Sequence, residues 1–248
     1  MRLTHRVHLI GSGQPDLITT DPLDSQVYLV RAADGFVVVD SGAGRSVEQI
    51  LANVRADGFA PDLIRWLYLT HAHADHAGGG AGWREAVPDV RIAVAAEVAG
   101  WLARADEEAT SVDRARAAGI YPDDYRLRPF EADRELVDGD RIELDADVVM
   151  SVVATPGHAA GHLSFVLDDG PQRTLFSGDA VFPGGRILLQ DTWDCDLRTT
   201  LRSVERLAAV EAADLFAGHL APVVGDAGAH LQLAVGRIAG LNPPPNLT

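Results

Sequence analysis

The sequence predicts an α/β fold in which strands and helices alternate along the chain. Short β-branched runs such as Val27–Arg31 alternate with segments in which apolar residues recur at helical spacing. The order strand, Asp, helix, strand, His also occurs twice, first with Asp40 and His71 and then with Asp179 and His219. This weak echo predicts two similar β-rich halves.

The first half begins with a predicted β-hairpin. Val27–Arg31 and Phe36–Val39 are joined through Asp34-Gly35, a sequence typical of tight hairpin turns. A helix is expected after Ser46, the predicted N-cap, because apolar residues then recur with a helical period. The next predicted elements are the strand Leu63–Leu69, the strand Arg91–Ala95 and the helix Glu97–Arg104.

A polar, charge-rich segment from Asp106 to Arg134 interrupts this alternation. We interpret residues 106–134 as an irregular or short-helical insertion that contains Tyr121 and Tyr125. Two interpretations of it remain open, a lid over a functional site and a solvated surface insertion.

The second half shows the same alternation. The predicted strands Ser164–Leu167 and Thr174–Phe176 flank Asp168-Asp169-Gly170, a second hairpin signal. Helical periodicity predicts a helix over Asp196–Val210. The remaining predicted elements are the strands Arg141–Leu144, Val148–Ala154 and Asp214–Ala217 and the helix Ala227–Ala239.

Composition limits the possible classes of function. The 248 residues, 47% hydrophobic and 23% charged, suffice for one large globular domain or two small ones, and we expect a single domain spanning 1–248. No apolar run is long enough to span a membrane, no signal peptide is expected after Met1, and a single cysteine, Cys195, excludes an internal disulfide, so we expect a cytoplasmic protein. A formal net charge of −15 disfavours nucleic acid as a partner. We therefore expect a small-molecule substrate and no membrane partner; the oligomeric state stays open.

Four potential metal ligands lie within six residues directly after an apolar run. Side chains alternate along an extended segment, so His71 and His73 project the same way and can bind one ion. Asp75 and His76 lie where the chain turns and can face a second ion. Imidazole and carboxylate ligands suit zinc, iron or manganese.

Three distant residues, His158, Asp179 and His219, each follow a glycine and are candidates to complete the site. Seven such ligands suffice for two divalent ions, and two-metal sites with nitrogen and oxygen ligands are typical of hydrolases. His162 also follows a glycine and competes with His158 for the same role.

The motifs resemble those of the metallo-β-lactamase superfamily, and the match extends from about Val27 to His219. Five motifs occur in the family's order: Asp40-Ser41-Gly42 after a strand, Thr70-His71-Ala72-His73-Ala74-Asp75-His76, Thr155-Pro156-Gly157-His158, Ser177-Gly178-Asp179 and Gly218-His219. The resemblance implies an αβ/βα sandwich of two mixed β-sheets flanked by helices.

The resemblance also implies a set of ligands for two divalent ions, zinc by default with iron or manganese possible. One ion would be bound by His71, His73 and His158, the other by Asp75, His76 and His219, with Asp179 bridging them. Asp40 would orient a ligand without binding metal. Because the family's ligand corresponds to His158, we interpret His162 as a core or supporting histidine.

The implied activity is that of a metal-dependent hydrolase in which a hydroxide shared by two ions attacks the substrate, with Asp75 also orienting that hydroxide. Asp179 stands where the best-known zinc β-lactamases have a cysteine, which favours the glyoxalase II, lactonase and thioesterase branch, and hence a thioester, ester or lactone substrate. Two alternatives remain: a mononuclear iron dioxygenase of the persulfide dioxygenase type, and a non-catalytic metal-binding module.

Residues that follow the bridging Asp179 are candidates to line a substrate pocket, although ordinary core packing explains the apolar ones equally well. We assign this role to six side chains: Phe182, Arg186, Leu189, Trp193, and Tyr121 and Tyr125 of the insertion.

Overall fold

The alternating strands and helices are present in the computed structural model, which describes residues 1–17, 20–170 and 172–247. The chain divides into two units, Met1–Leu136 (unit 1) and Val137–Thr248 (unit 2). Each unit contains one mixed β-sheet and its own helices. The predicted fold class is therefore confirmed.

Unit 1 contains a six-stranded sheet in which the strand order follows the chain order. The first three strands are antiparallel neighbours and the last four are parallel neighbours. The strands are β1 (Val7–Gly11), β2 (Val27–Ala32), β3 (Gly35–Val39), β4 (Ile64–Tyr68), β5 (Arg91–Ala95) and β6 (Arg134–Leu136). The α-helices are α1 (Val47–Ala56), α2 (Ala74–Ala77), α3 (Gly80–Ala86), α4 (Ala96–Arg104) and α5 (Val112–Ala117), and a 3₁₀ turn covers Pro61–Leu63.

Unit 2 contains a five-stranded sheet of order β11-β10-β9-β8-β7. All neighbours are antiparallel except β10 and β11, which are parallel. The strands are β7 (Arg141–Asp145), β8 (Val148–Ala154), β9 (Leu163–Asp169), β10 (Gln172–Gly178) and β11 (Asp214–Ala217). The helices are α6 (Leu197–Ala208) and α7 (Ala227–Ala239).

The order of elements that recurs in the two halves of the sequence corresponds to a topology that both units share. In unit 1 the β2-β3 hairpin is followed by α1 and by β4, which is parallel to β3. In unit 2 the β9-β10 hairpin is followed by α6 and by β11, which is parallel to β10. Two parallel neighbours need a crossover connection, and a helix supplies it in both cases.

Helix α1 shows how the apolar pattern becomes packing. Its buried residues are Val47, Ile50, Leu51 and Val54, the apolar stripe that the period predicts. Burial of each such side chain stabilises the fold by about 1.5–3 kcal/mol. Ser46 occupies the N-cap position, but its hydroxyl binds Asp24 instead of the helix backbone.

Several short elements have no clear sequence signal and appear only in the structure. The edge strand β1 was not predicted from the sequence, and the edge strand β6 has only three residues, too few to establish a period. The insertion contains one short helix, α5, as the short-helical interpretation expects. Among the described residues, no helix is long and apolar enough to cross a bilayer.

Candidate metal centre

In unit 1 the predicted ligands follow the carboxyl end of β4. Asp40 directly follows β3, and because β3 and β4 are parallel neighbours, Asp40 and Thr70 lie at the same edge of the sheet. His73 is the N-cap residue of α2, and this single helical turn carries Asp75 and His76. The chain therefore turns at the position that the sequence predicts.

Asp40 is the centre of a buried hydrogen-bond network. It lies at a left-handed φ of 62°, a conformation that Asp and Asn tolerate better than most residues. Its carboxylate accepts hydrogen bonds from the Thr70 backbone N–H (2.8 Å), from the Thr70 hydroxyl (2.9 Å to Oδ2) and from His76 Nδ1 (2.8 Å). Because a carboxylate accepts, the His76 proton is on Nδ1 and the lone pair of a neutral ring is on Nε2.

The same network sets the tautomer of His71. The Thr70 hydroxyl has one proton, which it donates to Asp40, so it accepts from His71 Nδ1 at 3.0 Å. The lone pair of His71 is then on Nε2, and Nε2 lies 3.1 Å from Nδ1 of His73. Two nitrogen ligands of one tetrahedral zinc ion lie about 3.3 Å apart, since each Zn–N bond is about 2.0–2.1 Å. This pair of nitrogens therefore has the separation that a shared ion requires.

Asp75 is held beside His76 by a residue of the insertion. The Tyr121 hydroxyl donates to Asp75 Oδ1 at 3.0 Å and accepts from the Asp75 backbone N–H at 3.1 Å. The other carboxylate oxygen, Oδ2, lies 3.3 Å from His76 Nε2. Burial, followed by the nearby Asp75 charge, raises the pKa of Tyr121 well above its ordinary value, so the phenol stays protonated.

In unit 2 the predicted ligands follow strands that run in one direction. β8 and β10 are both antiparallel to β9, and β11 is parallel to β10, so the carboxyl ends of β8, β10 and β11 share one edge of the sheet. His158, Asp179 and His219 follow these three ends. The backbone N–H of Gly218 donates to the Gly178 carbonyl at 2.8 Å and holds the last two segments together.

Asp179 lies between the two histidines of unit 2. Its Oδ2 is 3.6 Å from His158 Nε2 and 3.4 Å from His219 Nε2. His158 Nδ1 donates to the Leu188 carbonyl at 3.0 Å, so its lone pair is on Nε2, the nitrogen nearer Asp179.

His162 has a different hydrogen-bond pattern, which separates it from His158. Its Nε2 accepts from the Asp179 backbone N–H at 3.0 Å, so its proton is on Nδ1, which donates to the Thr155 hydroxyl at 2.8 Å. Both ring nitrogens are thus used in positioning the chain around Asp179. These contacts support the interpretation of His162 as a supporting residue.

The donor set in each unit fits a divalent transition metal. Buried or partly buried imidazole nitrogens and carboxylate oxygens lie about 3–3.6 Å apart within each unit, and partners that do not bind metal fix three of the tautomers.

Of the six candidate substrate residues, Phe182 and Trp193 differ most in solvent exposure. Phe182 is fully buried in a cluster with Leu188 and Ala217, and its ring centroid is 6.2 Å from that of His219. Trp193 is 61% exposed. Arg186 is exposed and Leu189 is half-buried. A pocket role for these residues stays a prediction.

Tyr121 and Tyr125 are both buried within unit 1, where their rings stack at 4.8 Å. The Tyr125 hydroxyl donates to the Ala43 carbonyl at 2.9 Å. Neither hydrogen-bond partner has a signal in the sequence, because the partners lie 46 and 82 residues away along the chain.

The triple glycine after His76 has a packing role. A Cβ on Gly79 would lie 2.3 Å from the Ser41 carbonyl oxygen, and one on Gly80 would lie 2.6 Å from the Phe130 ring. At these two glycines the backbone therefore passes close to the loop after β3 and to the insertion.

Comparison with known proteins identifies relatives of the chain. The family model described as the metallo-β-lactamase superfamily matches residues 20–219. The bovine (Bos taurus) acyl-coenzyme A thioesterase MBLAC2 is 33% identical over 177 residues, which are 66% of this chain and 60% of that protein. A hydroxyacylglutathione hydrolase of Xanthomonas euvesicatoria is 31% identical over 163 residues, 65% of this chain and 48% of that protein. The chain thus spans about half to three fifths of the length of these relatives.

Solved structures resemble the fold at lower sequence identity. A motif mutant of a metallo-β-lactamase from Cronobacter sakazakii superimposes with a TM-score of 0.69 at 21% identity, covering 95% of this chain and 93% of that one. At this identity the likeness establishes the fold alone.

Proposed function

Because the chain belongs to the metallo-β-lactamase superfamily, we propose that it is a metal-dependent hydrolase of small acyl compounds. The observation that carries the proposal is the Asp40 network, which directs the Nε2 lone pairs of both His71 and His76 away from the supporting hydrogen bonds. Such outer contacts are characteristic of histidines that bind metal.

In the proposed site two divalent ions, zinc by default, are held by all seven predicted ligands. His71, His73 and His158 would hold one ion, Asp75, His76 and His219 would hold the other, and Asp179 would contribute to both. Bound ions of this kind supply Lewis-acid polarisation of a carbonyl and a water of lowered pKa.

The residues of the chain have separate tasks in this scheme. Asp40 and the Leu188 carbonyl hold the imidazoles in the tautomers that binding needs, and His162 fixes the backbone at Asp179. Asp75 orients the attacking water. Since the metal site provides the nucleophile, no covalent intermediate on a serine or on Cys195 is expected.

A thioester, ester or lactone with an uncharged acyl part is the proposed substrate. The acyl-coenzyme A thioesterase and hydroxyacylglutathione hydrolase among the relatives are named for thioester cleavage, which supports this class. The net charge of −15 also opposes a nucleic acid as the substrate.

The test is a hydrolysis panel on protein reconstituted with zinc, manganese or iron(II). It comprises acyl thioesters, lactones, simple esters and one phosphodiester. The variant His73→Ala is compared with a control, His5→Ala, in which an exposed histidine is replaced. We expect cleavage of at least one acyl compound, loss of metal and of several orders of magnitude in turnover in His73→Ala, and no change in His5→Ala. Equal activity of the two variants, or no acyl cleavage by metal-loaded protein, contradicts the proposal. Oxygen uptake with a persulfide by the iron form would establish the dioxygenase instead.

A further inference from the structure

We propose that Tyr121 of the insertion is a positioning residue for Asp75: it fixes the carboxylate so that Oδ2 is the oxygen that lies beside His76 Nε2. The inference rests on the proposed function in one respect, since it takes Asp75 and His76 as ligands of the same ion. Nothing in the ligand motif of residues 70–76 specifies such a partner.

Two hydrogen bonds between Asp75 and Tyr121 converge on one phenol. Tyr121 donates to Asp75 Oδ1 at 3.0 Å and accepts from the Asp75 backbone N–H at 3.1 Å. The backbone carbonyl of Asp75 is held as well, because it accepts from the Ser25 N–H at 3.2 Å. The residue is thus fixed at its main chain and at one oxygen.

This arrangement fixes the orientation of the Asp75 carboxylate, so that one of its oxygens is available to an ion. With Oδ1 bound to the phenol, Oδ2 lies 3.3 Å from Nε2 of His76. Ligand atoms of one zinc ion are separated by about 3.3 Å, so the pair is already placed for joint coordination. Without the phenol, the carboxylate would turn freely about its Cβ–Cγ bond, neither oxygen would be held beside His76 Nε2, and the site would lose this preorganisation.

The insertion holds Tyr121 rigidly. Its ring stacks on Tyr125 at 4.8 Å, and both rings are buried. Arg116 donates to the Tyr125 carbonyl at 2.8 Å and pairs with Glu107 at 2.7 Å, and Glu107 in turn accepts from the Leu127 N–H at 3.2 Å. The insertion therefore presents a fixed phenol to Asp75.

Tyr121→Phe is the direct test, and Tyr125→Phe is its matched control. Each variant keeps the stacked ring and removes one buried hydroxyl, but the hydroxyl of Tyr125 donates to the Ala43 carbonyl. We expect Tyr121→Phe to weaken binding of one zinc ion about 10- to 100-fold, as is typical for partners of metal ligands. Tyr125→Phe is expected to change zinc affinity by less than about threefold, although both variants lower the thermal stability of the apoprotein.

Zinc affinity is measured on the apoprotein of the whole chain by competition with a chromogenic chelator. Cobalt(II) reconstitution adds a spectroscopic signature, because a displaced carboxylate alters the visible d–d absorption, and only Tyr121→Phe should show the change. In an Asp75→Ala background the Tyr121→Phe substitution should have no further effect on zinc affinity, since interacting residues couple in a double-mutant cycle.

The outcomes separate this inference from the proposed function. Wild-type protein that binds neither zinc nor cobalt overturns both. Two results overturn the inference alone when the wild-type protein binds two ions. In the first, the Tyr121→Phe variant binds both ions as tightly as the wild type. In the second, Tyr121→Phe changes zinc affinity equally with and without Asp75.

Should Tyr121→Phe fail to fold, Asp75→Asn tests the same contact. The phenol donates to the amide oxygen and so turns the amide nitrogen, which cannot bind metal, towards His76. Loss of one ion is expected, and retention of both overturns the inference.

Discussion

Replacing Asp40 by asparagine should weaken metal binding without a comparable loss of apoprotein stability. Asparagine has the same shape as aspartate and tolerates the left-handed φ of 62° at this position, so the backbone is not strained. The amide oxygen still accepts from Thr70, but the amide nitrogen then faces His76 Nδ1, which lies 2.8 Å from Oδ2 in the native protein. Two donors cannot pair, so the proton of His76 moves to Nε2.

The magnitude follows from this tautomer change. His76 must lose the Nε2 proton before that nitrogen can bind an ion, and loss of an outer partner of this kind costs about 10- to 100-fold in metal affinity. That is about 1.4–2.8 kcal/mol, since each tenfold change is about 1.4 kcal/mol. The apoprotein keeps a full set of hydrogen bonds after the change, so its free energy of unfolding should fall by less than about 1 kcal/mol.

Asp24→Asn is the matched control. Asp24 is a buried carboxylate of the same unit, and it binds backbone and hydroxyl donors: it accepts from the Ala43 N–H at 2.8 Å and from the Ser46 hydroxyl. Chelator competition should show weakened zinc binding in Asp40→Asn only, whereas urea unfolding should show the larger destabilisation in Asp24→Asn. Unchanged zinc affinity in Asp40→Asn, or an equal loss in the two variants, refutes the tautomer argument.

Four further results are expected. Elemental analysis of zinc-reconstituted protein should give close to two ions per chain, and no bound metal with zinc, manganese or iron would contradict the ligand set. Asp179→Ala should lower turnover by several orders of magnitude and His162→Ala by at most about 10- to 100-fold; loss of an ion in His162→Ala would reverse the assignment. Specificity constants should rise with acyl chain length and be negligible for a phosphodiester, and a flat response would remove the apolar-substrate hypothesis. Burial raises the pKa of the Cys195 thiol, so iodoacetamide should modify it slowly at pH 7 and faster above pH 9, with mass spectrometry as the readout.

The limits of sequence-based prediction are visible in particular elements. Strands with long β-branched runs, such as β8 (Val148–Ala154), have the predicted bounds, whereas β6 (Arg134–Leu136) has only three residues and pairs with β5 through contacts that no local period encodes. Ser46 occupies the predicted N-cap position, but its hydroxyl does not bind the helix backbone. It donates instead to Asp24, a carboxylate 22 residues earlier that folding brings next to it.

The sequence by itself determined the candidate ligands and their place at strand ends. A glycine or a short turn after an apolar strand ends the hydrogen-bonded pairing of that strand. Residues just beyond strands that run in the same direction lie at the same edge of the sheet. Asp40 and His71, and likewise Asp179 and His219, were therefore placed at strand ends before any coordinates.

Only the tertiary structure decided the contacts that give those ligands their chemistry. The partner of Asp75 is a tyrosine 46 residues away in the insertion, and the partner of His158 is a carbonyl 30 residues away. A hydrogen bond between distant segments depends on packing to within a few tenths of an ångström, and neither periodicity nor spacing in the chain carries that information.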